Sequence, residues 1–363
     1  MTDGSSTKDI GLIGSGYTNS ATGFRNSTAS KLNEAGQAIG GAAVYNGSSY
    51  IGKTSWLYDG TTTTEIGITG GVHINNSGSH NTAKELNESG QVIGFSQRYN
   101  NGSYNGTTAW LYDGVTTKEI GLTSSGHINS STAFQKNSSN KINEAGQVLG
   151  SAQRFDGATS RGYDAWLYNG ATTKEIGLTG GVHTDSNGTQ NNSGSRLNDA
   201  GQVTGYAQRY NGTAAAGYSA WLYDDDLDQT FFQDFSVRSS DGYSYSNAQY
   251  LGDDGLMLGN YELFDIDDSS LGYYAFSFTI EDGFTELGLL VNDLDDAGWL
   301  SLSYALSSNE AEQIIGTGIL NDTASTAAYL LTPHVSAVPV PAAAWLFGSG
   351  LIGLVGFARR KKA

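Results

Sequence analysis

The sequence predicts an all-β fold that repeats a small sheet six times, and three observations support this prediction. The chain of 363 residues contains 50 Gly, 21 Tyr and only 3 Pro, a composition that suits short strands joined by tight turns. A Gly-Gln pair and an aromatic residue each recur at a near-constant interval. The segments between them, such as "GQVIGFSQRY", alternate apolar and polar residues in the manner of half-buried strands.

Two landmarks define the repeat. The first is the glycine of motifs such as "LNEAGQAIG", found at Gly36, Gly90, Gly146, Gly201 and Gly255. The second is the aromatic residue of "AWLY" and its variants, found at Trp56, Trp110, Trp166, Trp221, Phe276 and Tyr329. Successive glycines are 54 to 56 residues apart, which divides the chain into units 8–64, 65–118, 119–174, 175–229, 230–284 and 285–333.

Each unit is predicted to hold up to four strands. Two of them are the alternating segment after the Gly-Gln pair and the apolar "AWLY" segment, and "KEIGLT" supplies a third, shorter one. Asp113-Gly114 and its equivalents mark tight hairpins between strands. The polar stretch before each "LN" is expected to be a loop with an irregular strand.

The order of the units favours a closed ring. A four-stranded sheet has two faces to bury, so each unit must pack against neighbours on both sides. An open stack needs capping segments at its ends, and none is evident here. The sequence therefore predicts a six-bladed β-propeller over residues 8–333, with residues 8–12 ("KDIGL") as the candidate strand that closes it. The alternative is an open β-solenoid capped by its divergent fifth and sixth units, and residues 1–7 are predicted to be disordered.

The repeated residues are predicted to carry architecture, because every unit needs the same packing and turns whereas a catalytic group is needed once. The aromatic landmarks are therefore assigned to the core of each repeat, and the landmark glycines to its turns.

Composition excludes some classes of binding partner and of metal site. The formal net charge is −17, and nucleic-acid binding needs a basic face, so nucleic acid is excluded as a partner. The chain has no Cys, which excludes disulfides and thiolate metal sites.

The chain changes character near its C-terminus. Residues 342–358, "AAAWLFGSGLIGLVGFA", lack any charge and are long enough to cross a bilayer as a helix. This predicted transmembrane helix includes Ala342, Trp345, Leu346, Phe347, Gly348, Gly350, Leu351 and Leu354. The basic cluster of Arg359, Arg360, Lys361 and Lys362 in residues 359–363 predicts a cytoplasmic end, which places the repeats outside.

The segment "VPVPAAAWLFGSGLIGLVGFARRKK", residues 338–362, resembles a PEP-CTERM sorting signal. Pro339 and Pro341 match the two prolines of that motif, within a linker of residues 334–341, and Val340 replaces the usual Glu. The resemblance implies export, recognition and cleavage by an exosortase at the membrane, and a Gram-negative bacterium that makes exopolysaccharide. The N-terminus shows neither the charged region nor the apolar stretch of a secretion leader, so the true start codon is expected upstream.

The repeats resemble the family of probable extracellular HAF repeats. "INEAGQVLG" at residues 142–150 followed by "AWLY" matches its pattern, with Trp in place of Phe. The two resemblances imply an exported structural or adhesive protein without catalysis, anchored in the membrane before processing. The alternative is a lectin-like, glycan-binding propeller, with exopolysaccharide as a partner, and a glycosidase is a third hypothesis.

Candidate chemistry is sparse. His73, His127 and His183 recur at matching places, which predicts turn residues because equivalent positions on successive blades do not converge on one metal ion. The acidic runs 224–228, 265–268 and 292–296 are predicted to be solvated loops, with Ca²⁺ binding as the alternative. A glycosidase would draw its carboxylates from the region Asp224–Asp296. Tyr99 and Tyr210 are candidates for stacking on sugar rings, with packing as the competing interpretation.

Overall fold

The structure is a computed structural model that describes residues 7–75 and 78–333. In the described residues, 23 strands form six antiparallel groups, here called sheets 1 to 6, that follow one another along the chain, and short parallel pairings join sheets 2 to 5 at their edges. The predicted all-β class is confirmed. The predicted transmembrane helix, its basic cluster and the sorting motif lie outside the described residues. None of the helical segments that are described has the length and apolar character needed to cross a membrane.

The first three sheets share one strand order, in which each strand pairs with the next one in sequence. Sheet 1 consists of β1 (Ser27–Leu32), β2 (Ala38–Asn46), β3 (Ser49–Tyr58) and β4 (Thr63–Ile66). Sheet 2 consists of β5 (Asn81–Leu86), β6 (Val92–Asn100), β7 (Ser103–Tyr112) and β8 (Thr117–Ile120). Sheet 3 consists of β9 (Gln135–Ile142), β10 (Val148–Asp156), β11 (Thr159–Tyr168) and β12 (Thr173–Ile176).

The remaining sheets follow the same plan, except that the last has three strands within the described part of the chain. Sheet 4 consists of β13 (Gln190–Leu197), β14 (Gln202–Asn211), β15 (Ala214–Asp224) and β16 (Gln229–Phe232). Sheet 5 consists of β17 (Ser244–Leu251), β18 (Met257–Phe264), β19 (Ser270–Thr279) and β20 (Gly283–Glu286). Sheet 6 consists of β21 (Trp299–Ser308), β22 (Ile314–Leu320) and β23 (Thr326–Leu331).

The sheets begin later in the sequence than the predicted unit boundaries. The "EIG" segment pairs with the strand before it, as Ile66 does with Ser55, so it is the fourth strand of the preceding sheet. The polar stretch before each "LN" is the first strand of its sheet. That strand is short and bulged, as at Ala83/Glu85, which weakens its sequence pattern.

The core lies between the sheets. In sheets 2 to 6 the landmark aromatic residue faces backwards and packs against apolar residues of the sheet before it, as Trp110 does against Ile39 and Leu57. The residue after that Trp faces forwards, as Leu111 does towards Val148 of sheet 3. A glycine opposite each aromatic residue makes room for its ring, because a Cβ at Gly150 would overlap the indole of Trp166. This face-to-face arrangement of four-stranded sheets is that of propeller blades.

A ladder of asparagine side chains joins the turns of successive sheets. The side-chain Nδ2 of Asn33 donates to the backbone carbonyl of Asn87 at 3.0 Å, and Asn87, Asn143 and Asn198 repeat this bond towards the next sheet. All four asparagines are buried. A buried hydrogen bond between consecutive turns fixes the register of one sheet on the next.

The predicted pairing of residues 8–12 with the last sheet is not present in the structure. These residues form no strand, and in the described chain no strand of sheet 1 pairs with a strand of sheet 6. Every residue of β1 is exposed. In the described residues, the edge strand β1 of sheet 1 and the forward face of sheet 6 are therefore exposed.

Candidate functional site

Polar clusters lie where the turn after one sheet crosses to the next sheet. His73, His127 and His183 each lie in a short 3₁₀ turn and are buried. Nε2 of His73 lies 2.9 Å from the hydroxyl of Thr108, and Nε2 of His183 lies 3.0 Å from that of Ser219. The three histidines are therefore separate packing and hydrogen-bonding elements, one for each interface.

The cluster on sheet 3 differs from the other two because it contains a buried carboxylate. Nε2 of His127 lies 2.9 Å from Oδ2 of Asp164, a residue with no exposed surface. Arg154 donates to the same carboxylate oxygen at 3.0 Å, and Gln190 donates to Oδ1 at 2.6 Å. Glu175 accepts from Arg154 at 3.4 Å.

His127, Asp164 and Glu175 form the one grouping in the described residues that could share a cation. Arg154 already contacts both carboxylates there, so a metal ion would have to displace a guanidinium group. Burial alone would raise the pKa of Asp164, but the hydrogen bonds from His127, Gln190 and Arg154 lower it below its ordinary value. Burial raises the pKa of Glu175, with the charge of Asp164 adding to the effect. The cluster is a satisfied ionic network.

A second feature is a ladder of five tyrosines across sheets 4, 5 and 6, here called the tyrosine ladder. Its ring centroids are separated by 5.4, 6.3, 5.8 and 5.5 Å in the order Tyr206, Tyr218, Tyr245, Tyr273 and Tyr304. The first three contacts are edge-to-face and the last is tilted. The parallel pairing of β15 with β17 sets Tyr218 beside Tyr245.

Polar groups accompany the ladder. A cavity of about 220 Å³ is lined by Tyr206, Tyr218, Tyr245, Ser246 and Asn247. Asn260, which pairs with Asn247 across the sheet, is buried, and its side-chain nitrogen has no hydrogen-bond partner in the described structure. An open aromatic surface thus lies beside amide and hydroxyl groups.

The hydroxyls of Tyr245, Tyr273 and Tyr304 stay protonated at neutral pH because the pKa of each is raised. Burial raises the pKa of Tyr273 to about 12, and the negative charge of Glu262 adds to the shift. Burial also raises the pKa of Tyr245 and of Tyr304. The ladder therefore offers neutral hydroxyl donors beside a carboxylate.

The residues that recur in each repeat occupy structural positions, the aromatic residues in the core and the glycines in turns. The aromatic landmarks are all buried. The landmark glycines have a positive φ of 79° to 82°. Two of the acidic-run positions are held by hydrogen bonds. Asp224, the buried last residue of β15, accepts from Gln202 and the backbone of Leu227, and Asp268 accepts from the backbone of Ser239.

Tyr99 and Tyr210, the predicted sugar-stacking residues, lie outside the tyrosine ladder. Each is tied down by its hydroxyl, Tyr99 at 2.8 Å from Nδ1 of His80 and Tyr210 at 3.0 Å from Nδ2 of Asn191. Their hydroxyl groups are thus already engaged in hydrogen bonds within the protein.

Sequence reasoning missed both Asp164 and the ladder. Asp164 precedes the "AW" pair, where the other sheets have Thr54, Thr108, Ser219 and Tyr274. That departure was the available signal, because a residue that breaks a repeat is a candidate for a task done once. The ladder had no sequence signal, since its members come from five different strands.

Comparison with known proteins places the first part of the chain in a family. The family model described as "Protein of unknown function (DUF3466)" matches residues 1–219. No curated protein matches the chain.

Solved structures resemble the chain at low identity. The fucose-specific lectin from Aleuria aurantia is 12% identical, with a TM-score of 0.31 over 84% of this chain and 90% of the lectin. The polysaccharide lyase Uly1 is 8% identical, with a TM-score of 0.37 over 85% of this chain and 81% of the lyase. A Trypanosoma rangeli sialidase is 12% identical, with a TM-score of 0.29 over 87% of this chain and 54% of the sialidase. Similarity at these TM-scores carries no argument about activity.

Proposed function

The chain belongs to the DUF3466 family of unknown function, and we propose from its geometry that it is a non-catalytic glycan-binding protein whose binding surface is the tyrosine ladder. The observation that carries the proposal is the continuous run of five tyrosines beside a cavity lined by amide and hydroxyl groups.

The chemistry of the ladder suits sugar rings. The C–H faces of a sugar pack against aromatic rings, while its hydroxyls need donors and acceptors at the edge of the stack. Tyr206 and Tyr218 are each more than one-third exposed, so their rings have surface to offer. Asn247 and Glu262 supply amide and carboxylate partners.

Charge selects the class of glycan. The chain carries a net charge of −17, and Glu262 lies within the electrostatic reach of Tyr273 and Tyr304. A polyanionic glycan would be repelled by this surface. We therefore propose a neutral polysaccharide as the ligand.

The proposed location rests on the C-terminal sequence. The resemblance of residues 338–362 to a sorting signal supports export, exosortase processing and display at the surface or in the extracellular matrix. A non-catalytic role is supported by the sheet 3 cluster, because Asp164 has no exposed surface with which to reach a glycosidic bond.

The proposal is tested by binding to a panel of neutral and acidic glycans. We expect the wild-type chain to bind a neutral glycan, and Tyr218→Ala to weaken that binding about fivefold, because an aromatic stack is worth about 1 kcal/mol. Tyr218→Phe should retain most of the affinity, since it keeps the ring.

Tyr163→Ala is the matched control. Tyr163 occupies the same position in sheet 3 and is also 37% exposed, but it lies under Lys136 and outside the ladder. Equal losses in Tyr163→Ala and Tyr218→Ala, or the absence of binding to any neutral glycan, would contradict the proposal.

A further inference from the structure

The N-terminal segment is docked on sheet 1 as if it were the last strand of a preceding sheet. Residues 8–10, "KDI", correspond to 118–120, "KEI", in β8. The hydroxyl of Thr63 donates to the carbonyl of Ile10 at 2.7 Å, and at the next interface the equivalent Thr117 accepts from the backbone nitrogen of Gly67 at 3.3 Å. Ile10 and Leu12 cover the aromatic face of sheet 1.

This segment lacks the strand with which it should pair. In sheets 1 to 5 the fourth strand pairs with the third, as Lys118 does with Leu111. Among the described residues, 7–10 form no such pairing, and no fourth strand lies beside β23 in sheet 6. Residues 7–10 could therefore pair with the free edge of β23. In the register of the other sheets, where Lys118 pairs with Leu111, Lys8 would lie opposite Leu330.

The flat faces of the two end sheets are also complementary. Ile315 and Leu330 occupy the forward-facing positions held by Ile39 and Leu57 in sheet 1, yet they are 50% and 60% exposed. At the other end Leu32 is 74% exposed. Its equivalents pack against the preceding sheet: Leu86, Ile142, Leu197 and Leu251.

Sheet 6 carries an asparagine at the ladder position, Asn309, although the ladder itself ends at sheet 5, where Gly252 takes the place of asparagine. Asn309 makes the same bonds to its own turn as Asn33, donating to Gln313 Oε1 at 3.0 Å and accepting from the Gln313 backbone nitrogen. In the described residues it makes no bond to a following sheet. A following sheet 1 would present the carbonyl of Asn33 to it.

We propose that sheet 6 of one chain docks on sheet 1 of a second copy, so that residues 7–10 of that copy become the missing fourth strand. This contact continues an interface that the chain already forms five times. A second copy is favoured over the same chain, because in the described residues β1 is exposed throughout and no strand of sheet 1 pairs with sheet 6, and rigid joining of two copies leaves every internal interface unchanged. Such a head-to-tail contact repeats and builds a filament.

The test uses engineered disulfides in the full chain, which has no Cys of its own. Chains with Lys8→Cys are mixed with chains carrying Leu330→Cys and oxidised gently. The expected product is a cross-linked dimer in the mixture and in neither variant alone. Replacing Leu330→Cys by Thr326→Cys, four residues along the same strand, should abolish the cross-link.

A chain with both Lys8→Cys and Leu330→Cys distinguishes pairing of β23 with a second copy from pairing of β23 with residues 7–10 of its own chain. A ladder of cross-linked multimers supports assembly, whereas a cross-linked monomer would show closure within one chain and overturn the proposal. Leu330→Lys should abolish multimers measured by light scattering, while Ile266→Lys, at an exposed apolar residue of the loop after β18, should leave them intact. Failure of the wild-type chain to multimerise or of the mixture to cross-link would also overturn it.

Discussion

The asparagine ladder allows a sharp test of what holds the sheets together. Asn143→Ala removes three hydrogen bonds: from Nδ2 to the Asn198 carbonyl at 2.9 Å, from Nδ2 to Gln147 Oε1 at 2.7 Å, and from the Gln147 backbone nitrogen to Oδ1 at 2.8 Å. Each is worth about 1 kcal/mol, and the backbone N–H of Gln147 is left without its partner. We expect the free energy of unfolding to fall by about 3 kcal/mol.

The last sheet provides the matched control. Asn309 makes the same bonds within its turn, but it is exposed and has no bond to a further sheet in the described structure. Water replaces exposed hydrogen bonds, so Asn309→Ala should cost less than about 1 kcal/mol. Both variants are unfolded in urea and followed by far-UV circular dichroism. Equal losses for Asn143→Ala and Asn309→Ala would refute the reasoning, because burial and the inter-sheet bond would then contribute nothing.

Three further predictions concern packing and charge. Gly150→Ala should lower the melting temperature strongly, because its Cβ would overlap the tryptophan of sheet 3, whereas Gly16→Ala, which meets open space, should not. Burial lowers the pKa of His183 from 6.5 to about 4. Between these two pH values the histidine is protonated in the unfolded chain and neutral in the folded chain. The free energy of unfolding therefore falls as the pH falls from 6.5 towards 4. His183→Gln should remove about 2 kcal/mol of the stability difference between pH 7 and pH 5, measured by urea unfolding at each pH. Asp164→Ala should cost about 2 to 3 kcal/mol in the same assay because Arg154 loses its buried partner, and a Ser at this position, as in sheet 4, should cost less.

The candidate site shows why a repeat hides function. Residues such as Trp166 were assignable from the sequence because their recurrence implies a shared packing role. Tyr245 and Tyr304 have no recurring pattern, and they meet only because strands of different sheets bring them together. A search for patterns along one sequence cannot detect a surface whose residues come from five separate strands.

The number of sheets and the strand order within each sheet were predictable from the sequence, but the boundaries between the sheets were not. The period of the Gly-Gln and aromatic landmarks gave the number of sheets, and the strand order within each sheet followed from short hairpins. The unit boundary was misplaced because "EIG" is near both sheets in sequence, and only the pairing of Ile66 with Ser55 decides which one it completes. The first strand was hard to predict because bulges interrupt its alternation.

The sequence by itself determined that the chain makes six small sheets with buried aromatic residues, because local hydrophobic periodicity and turn chemistry act over only a few residues. The tertiary structure alone decided how the sheets meet at their ends and where the tyrosines gather. Those features depend on the angle between packed sheets, which is the sum of many contacts between residues about 55 positions apart. That is why the free faces marked by Leu32 and Leu330 emerged only from the coordinates.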